Sequence, residues 1–186
     1  MLQGSGPLAA VVAAFVGAGC TASASSVRYD EKITAGEGPA VVVGKVGFPS
    51  RAGDAMIDGS VVAIDGHGKK WRISLETSLS QDGGNSAPFF VRLPAGRYQL
   101  EKLELIYSNS SWVMEDMELA MDLEAGRVSC VGAAYIRGRR PVYDDKGSRL
   151  MTSFEMQDDC SALRQLMAPR APFLPPQTTV RLLAPR

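Results

Sequence analysis

The chain has one histidine, His67, three cysteines and only 7% aromatic residues, and its 20 basic and 20 acidic side chains leave a formal net charge of zero. Each scarcity excludes something. A zinc centre needs three or four histidine, cysteine or carboxylate ligands, and none assembles around one histidine once the cysteines serve elsewhere. A serine triad would have to recruit His67 as its base. That residue lies between Gly66 and Gly68 in a polar turn beside Lys69 and Lys70, so His67 reads as a loop residue rather than the centre of a relay. No phosphate-cradling glycine loop with a following lysine occurs, and no dinucleotide fingerprint. Balanced charge gives no overall field to draw in nucleic acid. Long apolar runs are missing too: Leu8 to Gly19 is 12 residues, short of the roughly 20 needed to cross a bilayer.

What is present begins with the end of that run. Gly17-Ala18-Gly19 are small, and Cys20 follows them directly. A short apolar stretch closed by small residues is the pattern of a secretory signal, and with the cysteine it resembles the lipobox of bacterial lipoproteins. The resemblance implies a signal peptide over residues 1–19, diacylglycerol on the Cys20 thiol and cleavage on its N-terminal side. Several acyl chains, each buried methylene contributing about 0.8 kcal/mol, make release from the membrane rare. A plain secretory signal cleaved elsewhere, or a buried helix, are the alternatives. Residues 20–38, opening with Thr21-Ala22-Ser23-Ala24-Ser25-Ser26, read as a flexible tether. Thr21 rather than Asp after the cysteine favours, by enteric-type sorting, an outer-membrane lipoprotein facing the periplasm. No cofactor beyond the covalent lipid is implied.

Cys130 and Cys160 then remain as an even pair. In an oxidising compartment such a pair reads as a disulfide, the alternative being two buried thiols. A catalytic cysteine would have only His67 to activate it.

From residue 39 to 168 the chain reads as one mainly β domain, an antiparallel β-sandwich of about 7–8 strands with one short C-terminal helix. Lys69 to Leu75 alternates with Trp71, Ile73 and Leu75 on one face; Phe89, Val91 and Leu93 form another inward set. In Arg97 to Tyr107 the inward set is Tyr98 and Leu100, then Leu103, Leu105 and Tyr107, a slip of one residue that predicts a β-bulge near Glu101 and Lys102. Met117 to Leu123 alternates above an acidic outer face. Helical spacing occurs at Asp159 to Ala168, where Asp158 or Asp159 caps and Pro169 stops. Residues 169–186 read as a Pro/Arg-rich tail, with a weak strand signal at Thr178 to Leu183.

Glu115 and Asp116, with Glu118 and Asp122, are the carboxylates that a small envelope hydrolase or a calcium site would use. Trp112, after the polar stretch Ser108 to Ser111, is the candidate for aromatic contact with a sugar or lipid ligand, packing over a sandwich end being the alternative. Arg137, Arg139 and Arg140 form a basic knot that faces either its own acids or anionic polymer. The segment Phe89-Phe90-Val91-Arg92-Leu93-Pro94-Ala95-Gly96-Arg97-Tyr98, a strand closing in Leu-Pro-x-Gly-x-Tyr, resembles the hairpin of prealbumin-like and carboxypeptidase-regulatory-like sandwiches. With the lipobox, the Ala125-Gly126-Arg127-Val128 strand and the Asp159-Cys160 helix, it looks like bacterial lipoproteins of unknown function on that sandwich. The resemblance implies no catalytic residue. The expectation is a non-catalytic binding or scaffolding protein, held to the membrane by its lipid and facing an envelope protein or cell-wall polymer, with no nucleic acid.

Overall fold

The computed structural model describes residues 21–27, 38–48, 55–80, 85–144, 147–167, 179–180 and 183–185. Residues 1–20, with the expected signal peptide and Cys20, lie outside the described residues. The remainder is mainly β: β1 (Ala22–Ser23), β2 (Ser25–Ser26), β3 (Ala40–Gly47), β4 (Met56–Asp65), β5 (Lys70–Ser74), β6 (Ser86–Leu93), β7 (Gly96–Tyr107), β8 (Ser111–Leu123), β9 (Val128–Asp144) and β10 (Gly147–Gln157), then α1 (Cys160–Met167), β11 (Thr179–Val180) and β12 (Ala184–Pro185). Two sheets face each other, one ordered β1-β5-β4-β7-β8-β12 and the other β10-β9-β3-β6-β2, with β11 also on β9. Between them lies one large apolar cluster, built from Val42, Val61, Ile73, Phe89, Leu100, Leu105 and their neighbours.

The sheets are mixed rather than wholly antiparallel. β1 runs parallel to β5, and both β3 and β11 run parallel to β9. Alternation of apolar residues says which face is buried but carries no information about strand direction, and β3 meets β9 only after the chain has passed through the opposite sheet.

The expected bulge is present: β7 slips against β4 between Val62 and Ala63, and against β8 between Leu100 and Lys102. It turns Tyr98, Leu100, Leu103, Leu105 and Tyr107 all inward, each at most 2% exposed. A second bulge lies in β9, where Val43 faces Cys130 but Lys45 faces Ala133. The extra residue falls at Gly132, whose φ of 71° suits glycine far better than a residue with a Cβ. Val131 points into the main core, and Cys130 into a smaller cluster with Val41, Val43, Phe90, Cys160 and Leu163. That smaller cluster sits beneath α1, so β3 is covered on both faces and reads as an unbroken Val41-Val42-Val43 run.

Trp112 proves to be in β8, not in a loop. The polar Ser108-Asn109-Ser110 stretch is only the tip of the β7–β8 hairpin, and Trp112 packs edge-on to Phe48 with ring centroids 5.3 Å apart. The start of the stretch expected to be a tether is laid onto the sandwich: Ala22–Ser23 pair with β5 and Ser25–Ser26 with β6, while residues 28–37 lie outside the described residues. The far end of the chain does the same across the other seam, with β11 on β9, β12 on β8 and Leu183 buried between the sheets.

Candidate functional site

The smaller cluster is closed by a covalent joint. Cys130 and Cys160 are bridged, their Cα atoms 5.8 Å apart, tying β9, between β10 and β3 in its sheet, to the first residue of α1. Asp158 accepts a hydrogen bond from the Cys160 N–H at 3.2 Å, the expected cap. This frees the Asp159 carboxylate to turn toward the sheet, where the Tyr135 hydroxyl donates to it at 3.0 Å and Lys45 Nζ stands 3.6 Å away. The same ammonium lies 5.3 Å from the Tyr135 ring centroid. Burial, more than any neighbour, pushes the Tyr135 phenol above its ordinary pKa, and Lys45 works against that shift. The cleft beside these groups, between α1 and Leu79-Ser80, is about 30 Å³, room for no more than a water or two.

A larger, open depression of about 360 Å³ lies on the outer face of the other sheet, where the β4–β5 hairpin meets the start of β7. Ile64, Asp65, Gly66, Arg97, Tyr98, Gln99 and Ala120 line it. Asp65 holds the hairpin turn: Oδ1 accepts from the backbone N–H groups of His67 and Lys69, and Oδ2 accepts from Trp71 Nε1 at 3.0 Å. The Trp71 hydrogen bond is the main reason the Asp65 carboxyl lies below its usual pKa. Lys69 Nζ lies 4.1 Å from the centre of the Trp71 ring. The Tyr98 hydroxyl donates to the Pro94 carbonyl at 2.8 Å, which is the physical content of the Leu-Pro-x-Gly-x-Tyr motif.

Burial, with the Asp65 charge adding to it, pushes the Tyr98 phenol up to about 12. The unfolded chain therefore loses this proton near pH 10 while the folded protein retains it. Between those values the unfolded state binds fewer protons, so stability falls as pH rises. Denaturation midpoints measured across pH 9 to 12 should drop in that window, and the Tyr98→Phe protein should show a shallower fall.

The other residues singled out from sequence do not converge on either depression. Glu115 is exposed on β8 opposite Lys102, away from both depressions, and the side chain of Asp116 lies outside the described residues. His67 sits in the exposed hairpin turn. Arg137 pairs with Glu155, and across the outer face of the first sheet Lys70 pairs with Glu101 and Arg72 with Glu104. Among the described residues no group of three histidine, cysteine or carboxylate side chains is placed to hold a metal ion, and no helix is long and apolar enough to cross a membrane. Sequence reading missed the Lys45, Tyr135 and Asp159 cluster, because nothing in the chain marks three residues so far apart as neighbours. The Asp65 to Trp71 bond had a signal, an Asp-Gly turn flanked by an aromatic. Compared with known protein families, curated proteins and solved structures, the chain finds no match.

Proposed function

We propose that this is a lipid-anchored envelope protein whose sandwich, of the prealbumin type, binds or scaffolds rather than catalyses. The observation that carries this reading is the Cys130–Cys160 bridge in a chain that opens with an apolar run ending at Cys20. A bridge at this depth, with both cysteines under 7% exposed, belongs to an oxidising compartment, and the run is the device that delivers a chain there. The polar groups support a binding role by what they already do. Both Asp65 oxygens hold the hairpin, the Tyr98 hydroxyl closes its own turn, and Asp159 fastens α1 to Tyr135 and Lys45. Groups spent on holding the backbone are poorly placed to transfer protons to a substrate. Thr21 after the cysteine supports the outer membrane as destination, with the sandwich in the periplasm and a protein or cell-wall polymer as partner.

The test is Cys20→Ala in the intact chain, with mass spectrometry of the mature N-terminal peptide and fractionation of the cells. The unaltered protein should carry acyl mass on residue 20 and sediment with membranes; the variant should lack the mass and be soluble or unprocessed. A wild-type protein with an intact, unmodified N-terminus would overturn the reading.

A further inference from the structure

The chain that immediately follows Cys20 is bonded to both sheets. Ala22 and Ser23 lie in register with Trp71 and Arg72 on β5, and the Ala24 N–H donates to the Arg72 carbonyl at 2.8 Å. Ser25 and Ser26 then pair with Arg92 and Val91 on β6, and the Val27 N–H donates to the Phe90 carbonyl at 3.3 Å. These residues lie across the seam of the sandwich as a strap.

The strap has a direction. Because β1 is parallel to β5, its N-terminal end points toward Lys70, Lys69 and the β4–β5 turn. Consecutive Cα atoms are about 3.8 Å apart, so Cys20 stands one such step from Thr21, which is exposed. An acyl group on the residue before Thr21 would start beside the hairpin end. That end carries half-buried Trp71 under the Lys69 ammonium, and exposed Arg97 at the start of β7. Most of its acids are already engaged: Asp65 by Trp71 and two backbone N–H groups, Glu101 by Lys70, and Glu124 by Arg127. Asp122 stands across from Arg97 in the β7–β8 register. Tryptophan and long cationic side chains are the residues that settle at a membrane–water boundary, the ring at headgroup level and the charge in the polar layer.

We propose that residues 21–27 are a rigid mount, holding the β4–β5 hairpin end, with Trp71, Lys69 and Arg97, against the phospholipid headgroups in which the Cys20 acyl chains are anchored. The inference rests on the acylation proposed above. It implies a fixed orientation, with the Phe48, Tyr107 and Trp112 end held away from the bilayer. Trp71 is level with Ala63 and Leu100, and Trp112 with Leu105, which faces Gly59; counted along β4 at about 3.3 Å per residue, the two positions are separated by roughly 13 Å along the strands.

The two tryptophans make the test direct. The full-length acylated protein is reconstituted into vesicles of phosphatidylcholine and phosphatidylglycerol containing a headgroup-spin-labelled lipid as fluorescence quencher. Trp112→Phe leaves Trp71 as reporter, and Trp71→Phe leaves Trp112. Trp71 should be quenched several-fold more strongly than Trp112. Ala24→Pro, which removes the N–H bonded to Arg72, should bring Trp71 quenching down to the Trp112 level, with the acyl mass and the disulfide retained. Equal quenching of the two reporters in acylated protein, or strong Trp71 quenching that survives Ala24→Pro, overturns the mount and leaves the anchor standing. A missing acyl mass in the same preparation overturns both.

Discussion

Removing the Cys130–Cys160 bridge, by reduction or by replacing both cysteines with alanine, should cost about 3.5 kcal/mol of stability and lower the melting temperature by roughly 10 °C. The bridge closes a loop with a sequence separation of 30, and the chain-entropy relation for a loop of that length gives the first figure. Its location concentrates the effect. An eight-residue helix is too short to persist in water by its own hydrogen bonds, so α1 depends on what pins it: the bridge at its first residue, its own Leu163 buried against Val41, Val43 and Phe90, and Asp159 against Tyr135 and Lys45. Hydrogen exchange after reduction should accelerate first at residues 160–167 and only later in β3 and β9. Thermal melts with and without a thiol reductant measure the total. A change below about 1 kcal/mol would show that Leu163 and Asp159 hold the helix by themselves, and would weaken the case for an oxidising compartment.

The elements that were legible in the sequence are those with one wet face. Lys70–Ser74 and the slip at Glu101 and Lys102 could be read because apolar and polar positions alternate there, and the structure places both as expected. β3 is legible as a strand from its valines over Ala40 to Phe48, but not as to which face is buried, since Val41 and Val43 are buried beneath α1 while Val42 is buried between the sheets. The strap at 22–26 looks like a tether in the sequence for a related reason. Its residues are small and polar, and its order comes from backbone bonds to Arg72 and Phe90, partners remote in sequence and contributed by sheet edges that no local pattern announces. A polar hairpin tip of three residues looks like the start of a longer loop, which sets Trp112 in a loop by sequence; the other reading, packing over a sandwich end, is what the structure shows. Of the site residues, Tyr98 and Pro94 could be connected because the hairpin motif puts them four apart. Lys45, Tyr135 and Asp159 meet only once the Gly132 bulge has turned Tyr135 to the α1 side of the sheet.

Gly47→Ala should be the most damaging single methyl addition in β3, costing about 2–3 kcal/mol. Gly47 lies directly across from Ser86, and a Cβ there would fall 2.4 Å from the Ser86 Cα and 2.5 Å from the Asn85 carbonyl oxygen. Both obstacles are backbone, so no change of rotamer clears them; the strands must part. Parting them reaches further than one pair, because the Asn85 carbonyl accepts from both the Phe48 N–H at 3.0 Å and the Tyr107 hydroxyl at 3.1 Å. Phe48 in turn packs against Tyr107 and edge-on to Trp112, so Trp112 emission should change in the native state as well as the urea midpoint falling. Gly44→Ala makes an equally close approach, but to the Phe89 ring and a Val131 methyl, side chains that can yield slightly, and its cost should be smaller. Gly138→Ala, with nothing within 4 Å of the added carbon, should stay within about 0.5 kcal/mol of the unaltered protein. The order Gly47, Gly44, Gly138 is therefore expected in the urea midpoints, and a Gly47→Ala protein as stable as Gly138→Ala would mean that β3 and β6 do not approach as closely at Ser86 as this packing requires.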